Sequence, residues 1–124
     1  MNINISNTST IPLYEQIKSQ IQNQILDSTL KPGEGLPSIR NFAKELKVSI
    51  ITIKRAYEEL EKEGFIETVT GRGTFVSTKN TDRLREIALY EIENKLEDII
   101  RQVKSVGITL EEGLEIFKSI YEEI

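Results

Sequence analysis

Mostly helix with one small β-hairpin is the fold class that three features of this 124-residue chain predict. Apolar residues recur at helical spacing in five separate segments. Two short β-rich segments, "FIETV" and "TFVS", flank the turn-like "TGRG". The composition also changes near residue 80, which divides the chain into a compact domain at 11–79 and a helical tail at 82–124.

The first ten residues, "MNINISNTST", are polar and uncharged and are expected to fray or lie on the surface. From Pro12 onward, Leu13, Ile17, Ile21 and Ile25 share one helical face, and Pro12 suits a helix start. "KPGEGLPS" breaks the pattern with two Pro and two Gly. Ser38 can cap a short helix whose apolar face is Ile39, Phe42, Ala43 and Leu46. "KVS" interrupts, and Ser49 caps the next helix, with Val48 and Ile53 placed as a hydrophobic staple. Ile53, Ala56, Tyr57 and Leu60 form its buried stripe, and Gly64 stops it. The hairpin follows, its tip at Gly71, Arg72 and Gly73.

After the polar connector "STKNTD", a long helix carries Leu84, Ile87, Ala88, Ile92, Leu96, Ile99, Ile100 and Val103, and ends near Gly107. A last helix opens at Thr109, where Thr-x-x-Glu to Glu112 makes a capping box. Leu110, Leu114, Phe117, Ile120, Tyr121 and Ile124 line its apolar face. These two faces are wider than a pair of lone helices can bury. A symmetric homodimer is the expected solution, with Leu84, Ile87, Leu96, Ile99, Leu114, Phe117 and Tyr121 in its interface. The competing solution folds the tail back onto the first helix of a monomer.

Composition excludes several function classes. The chain has no His and no Cys, so His-based triads, Cys nucleophiles, thiolate zinc sites and disulfides are all ruled out. Its carboxylates fall in solvated helical patterns, and the chain reads as no enzyme, with no cofactor. No convergent polar group in the tail announces a small-molecule effector. The N-terminus lacks a basic-apolar-small signal, and no apolar run is long enough to span a bilayer, which makes the cytoplasm the default location and no membrane the expectation. The net charge of −4 speaks superficially against polyanions. Residues 1–78, however, balance nine Lys/Arg against nine Asp/Glu, and residues 79–124 carry seven against eleven. Screening cuts fields off within about 10 Å at ordinary salt, so the front half can keep a local basic face.

Two short helices around a tight turn, the second running into a hairpin, is the winged helix-turn-helix plan, here with a C-terminal helical dimerisation hairpin. Spacing alone leaves open a small α+β domain with no DNA role. The motifs narrow the choice. "GLPSIRNFAKELKVS" and "TIKRAYEELEKEGFIETVTGRGTFV" hold Leu-Pro-Ser-x-Arg, Val-Ser-x-x-Thr, Ala-Tyr-x-x-Leu-x-x-Glu-Gly and Gly-x-Gly-Thr-Phe-Val in order. This stretch, Gly35 to Val76, resembles the GntR family of bacterial transcription regulators. "PLYEQIKSQI" upstream and the brief two-helix tail are similar to its YtrA-type branch. The resemblance implies a homodimeric repressor on an inverted-repeat operator in double-stranded DNA, with a transporter or stress operon as its target. The alternative is a winged-helix protein-interaction module that has lost DNA binding.

Physical reasons attach to each candidate DNA-binding residue: Ser38, Arg40, Ser49, Ile51, Thr52, Lys54, Arg55, Gly71, Arg72 and Gly73. Arg40, beside the cap Ser38, offers a planar fork for a phosphate or a guanine edge. Ser49 caps its helix and can donate to a phosphate that the helix N-terminus also favours. With 100° per residue and Ile53 at the centre of the buried stripe, Ile50 lies about 60° away and Ile51 about 160° away. Ile50 thus borders the core and reads as structural. Ile51, Thr52, Lys54 and Arg55 face out, where Ile51 can pack on a thymine methyl. Gly71 and Gly73 permit positive φ, which aims Arg72 at the minor groove or its phosphates. The pattern departs from the family at Ile50, where many relatives carry an Arg associated with DNA contact.

Overall fold

The computed structural model describes residues 1–79 and 81–124. Five helices and three strands follow in order: α1 (Leu13–Leu26), β1 (Gly35–Leu36), α2 (Ile39–Leu46), α3 (Ile50–Lys62), β2 (Ile66–Val69), β3 (Gly73–Val76), α4 (Thr81–Ser105) and α5 (Leu110–Glu123). They form two compact units, Met1–Arg85 and Glu86–Ile124. The mainly helical winged plan therefore holds, but the division falls inside α4 instead of in the connector before it.

The core of the first unit gathers Ile17 and Ile21 from α1, Phe42 and Ala43 from α2, and Ile53, Ala56, Tyr57 and Leu60 from α3. Phe65, Ile66 and Val76 close it from the sheet. Each large side chain so buried contributes about 1.5–3 kcal/mol, and their helical and alternating spacing explains why these segments take these forms. Leu84 also belongs to this core, at 6% exposure. The expectation that Leu84 lies in a dimer interface is thereby corrected: the first turns of α4 bury their apolar side chain within the winged unit.

Two further findings concern the backbone. The hairpin gains a third strand, in the order β1-β3-β2. Gly35 pairs with Phe75 and Leu36 with Thr74, antiparallel. The fragment expected as a plain break is thus hydrogen-bonded at a sheet edge, too short to show alternation. Of the two expectations for the N-terminus, it lies along the surface and does not fray. Ile3 is buried in the core, and Gln16 and Gln20 of α1 hydrogen-bond the backbone of Ser6 and Asn4.

Helix ends follow their local chemistry. Ser38, Ser49 and Thr109 each accept a bond from the amide three residues on, and Thr109 and Glu112 complete the capping box. Helices α2, α3 and α4 close with the paired 6→1 and 5→2 carbonyl bonds of a Schellman motif. Its left-handed position is Lys47, Gly64 and Gly107 respectively, with φ of 58°, 87° and 77°.

In the second unit, α4 and α5 leave their apolar faces open. No residue of α5 is buried. Ile87, Leu96, Ile99, Leu114, Phe117 and Tyr121 are all exposed, and Phe117 and Tyr121 stack at 6.1 Å.

Candidate nucleic-acid interface

Helices α2 and α3 follow one another across a short turn, and each opens on a serine cap, Ser38 and Ser49. Ser38 Oγ accepts from the Asn41 amide at 3.2 Å, which fixes the first turn of α2 and sets Arg40 on it, exposed. Ser49 Oγ accepts from the Thr52 amide at 3.2 Å and lies 2.8 Å from Thr52 Oγ1. One hydroxyl of that pair donates to the other. A single proton is left over, aimed outside the pair and available to a phosphate.

Along α3 the outward positions hold what the helical wheel assigns them. Ile51 is 77% exposed, an apolar side chain without cover. Lys54 Nζ reaches Glu58 at 4.0 Å with both side chains mostly exposed, a contact of little energetic weight. Arg55 is exposed but not loose: its guanidinium lies 3.7 Å above the centroid of the Tyr14 ring, with Nε 3.8 Å from Glu59. Ile50 departs from expectation. At 46% exposure it is more surface than core, so the start of α3 offers two adjacent apolar side chains instead of one.

At the wing, Val69 pairs with Gly73, and the Arg72 amide donates to the Val69 carbonyl at 2.9 Å. Gly71 and Gly73 take φ of 79° and 118°, values that strain any residue with a Cβ. Nothing lies within 4 Å of where a Cβ on either would sit, so backbone conformation, not crowding, accounts for these glycines. Arg72 is exposed at the tip. Among the described residues, neither Arg40 nor Arg72 has a carboxylate within 4.0 Å. Both guanidinium groups keep their donors free for an anion.

Of the ten candidates, Ser49 and Thr52 are bonded to each other, and the remainder stand as separate exposed groups. Sequence reasoning missed Tyr14 and Glu59. The i,i+4 spacing of Arg55 and Glu59 was a usable signal, whereas nothing local links Arg55 to Tyr14 on another helix.

The family model for "Bacterial regulatory proteins, gntR family" matches residues 13–76, the span from the first residue of α1 to the last of β3. The chain is a GntR-family transcription regulator. This GntR chain binds DNA and is not an enzyme. It is 37% identical to the HTH-type transcriptional repressor YtrA of Bacillus subtilis, over 98% of this chain and 94% of that one. Similarity of that extent places it in the YtrA-type branch. Among solved structures, it is similar to a transcriptional regulator from Oenococcus oeni, with a TM-score of 0.78 and 28% identity over 94% of this chain and 97% of that one. It also resembles the DNA-binding domain of AraR in complex with operator ORX1, with a TM-score of 0.54 and 26% identity over 62% of this chain and 96% of that one. No helix among its described residues is long and apolar enough to cross a membrane.

Proposed function

We propose that this GntR-family chain is a homodimeric repressor that occludes a promoter by holding an inverted-repeat operator. The observation that carries the reading is the set of three exposed arginines on three successive elements: Arg40 on α2, Arg55 on α3 and Arg72 at the wing tip. A protein-interaction surface has no need of cations so distributed, and two of the three have no anionic partner among the described residues. Arg40 and Ser38 take a phosphate or a guanine edge. Ser49, Thr52 and Lys54 bind backbone phosphates beside the start of α3. Ile51 packs on a thymine methyl, and Arg72, freed by Gly71 and Gly73, enters the minor groove or clamps its edge.

Dimerisation through the exposed faces of α4 and α5 sets two such surfaces about one DNA turn apart, or a multiple of it. Two named repressors among its relatives, YtrA and NagR of Bacillus subtilis, favour repression over activation, and a transporter or stress operon is the target class. Selection of bound duplexes from a random pool tests the reading: an inverted repeat is expected. On the recovered duplex, Arg40→Ala, Arg55→Ala and Arg72→Ala each weaken binding roughly tenfold or more, within the 1–3 kcal/mol typical of a lost specific contact. Ile51→Ala relaxes preference at one base pair. Four variants that all bind like the parent place the contact face elsewhere.

A further inference from the structure

Arg55 lies where α3 meets α1, and the two helices hold it together. Its guanidinium carbon sits 3.7 Å above the centre of the Tyr14 ring. Glu59, one turn further along α3, brings Oε2 to 3.8 Å from Arg55 Nε. That oxygen is buried and has no hydrogen-bond partner among the described residues. The other oxygen, Oε1, faces Lys18 of α1 at 3.8 Å, and Lys18 in turn bonds Glu63 at 2.7 Å. Burial alone would pull the Lys18 pKa down, but the Glu63 bond and the charges of Glu63, Glu59 and Glu15 outweigh it and raise it above the ordinary lysine value. The charged ammonium bonds Glu63 and lies within ion-pair reach of Glu59 on the side away from Arg55.

We propose that Tyr14 is a positioning residue for DNA binding, whose ring holds the Arg55 guanidinium ready for the duplex. The inference rests on the reading of Arg55 as a DNA contact. A flexible arginine must give up rotamer freedom when it grips a phosphate or a base. Stacking on an aromatic face removes much of that freedom before the ligand arrives. It also uses only the π face of the guanidinium and leaves the N–H groups at its edge. The Arg55 side chain remains 61% exposed, so that edge is open to DNA. Lys54 has no equivalent support.

Tyr14 is half-buried against the core, so its packing role must be separated from its effect on Arg55. The test measures operator binding by anisotropy for the full chain, at two salt concentrations, with Tyr14→Leu, Tyr14→Phe, Arg55→Ala and the double variant Tyr14→Leu/Arg55→Ala. Tyr14→Leu is expected to bind about two- to fivefold more weakly, the range of an exposed cation–π contact. Its salt slope stays parental because no charge is lost. Tyr14→Phe keeps the ring and binds like the parent. In the Arg55→Ala background, Tyr14→Leu has no further effect. The proposal is overturned if Tyr14→Leu binds like the parent, if its effect persists undiminished without Arg55, or if Tyr14→Phe is as weak as Tyr14→Leu. Should leucine spoil the thermal melt, Tyr14→Met, of similar reach without a π face, takes its place under the same criteria. Arg55→Ala that binds normally fails the DNA-contact reading itself, a result distinct from the others.

Discussion

Tyr57 shows how one side chain joins packing to pH. Its ring is buried beside Phe42, with centroids 6.2 Å apart, and its hydroxyl donates to the Pro37 carbonyl at 2.7 Å. That bond ties α3 to the residue just before the cap of α2, and so helps set the angle between the two helices that carry Arg40 and Arg55. Burial, and then the charge of Glu45, raise the Tyr57 pKa far above its ordinary value. In the unfolded chain the phenol ionises at about pH 10. The stability contributed by the neutral phenol is therefore complete below that pH and is lost as pH climbs toward the folded value. The raised pKa of Lys18 acts in the same direction above the ordinary lysine value. Urea denaturation followed by circular dichroism should show stability falling above about pH 10. Tyr57→Phe should flatten that fall while costing about 1 kcal/mol at neutral pH for the lost hydrogen bond. An unchanged alkaline slope in Tyr57→Phe means that the phenol is not the titrating group.

At the scale of elements, the N-terminal segment is the least expected part of the fold. Gln20 bonds both backbone groups of Asn4, at 2.8 and 2.6 Å, and Gln16 bonds both of Ser6, at 2.9 and 3.0 Å. Gln24 reaches the Asn2 carbonyl at 2.7 Å. The register has a simple origin: four helical residues rise about 6 Å and two extended residues about 6.6 Å. Glutamines spaced by four on α1 therefore meet every second residue of the N-terminal segment, while Ile3 turns inward. Ile3→Ala should cost about 2 kcal/mol, at the low end for a buried Ile because the site borders solvent, and Gln20→Ala about 1–2 kcal/mol for two lost bonds. Equilibrium unfolding checks both, and parental stability in the two variants would mean that the segment is not docked in solution. The alternation of Ile3 and Ile5 with Asn2, Asn4 and Ser6 was legible in the sequence, but a segment whose backbone partners are side chains of a helix has no sequence rule. The same limit hid β1, whose partners in β3 lie across two helices, and placed Leu84 in the tail. Caps at Ser38, Ser49 and Thr109 were legible because their partners sit three residues away. The exposed face of α3 followed from helical periodicity, except at Ile50, where a residue near the boundary of the buried stripe at a helix N-terminus has no preceding turn to cover it. Tyr14 could not be found because its value to Arg55 exists only once α1 and α3 pack.

The division at Arg85 sorts charge across the whole molecule more sharply than the sequence boundary did. Residues 1–85 hold twelve Lys/Arg against ten Asp/Glu, and residues 86–124 hold four against ten. The winged unit is net positive and the tail strongly negative, so their two associations should respond to salt with opposite signs. DNA binding releases counterions: four candidate cations per protomer, Arg40, Lys54, Arg55 and Arg72, allow a slope of log affinity on log salt of at most about −7 for a dimer. In the proposed dimer, association through the tail brings together two acidic bodies, and the faces offered for contact are apolar. Added salt screens that repulsion and leaves the hydrophobic gain intact. Sedimentation equilibrium should therefore show the dimer tightening as salt rises, over the same range in which operator binding weakens. Phe117→Glu, which sets a further carboxylate on the open face of α5, should give a monomer at low salt and recover only part of its association at high salt. If dimerisation instead weakens with salt, ion pairs hold the two copies together, and the exposed faces of α4 and α5 are not the contact.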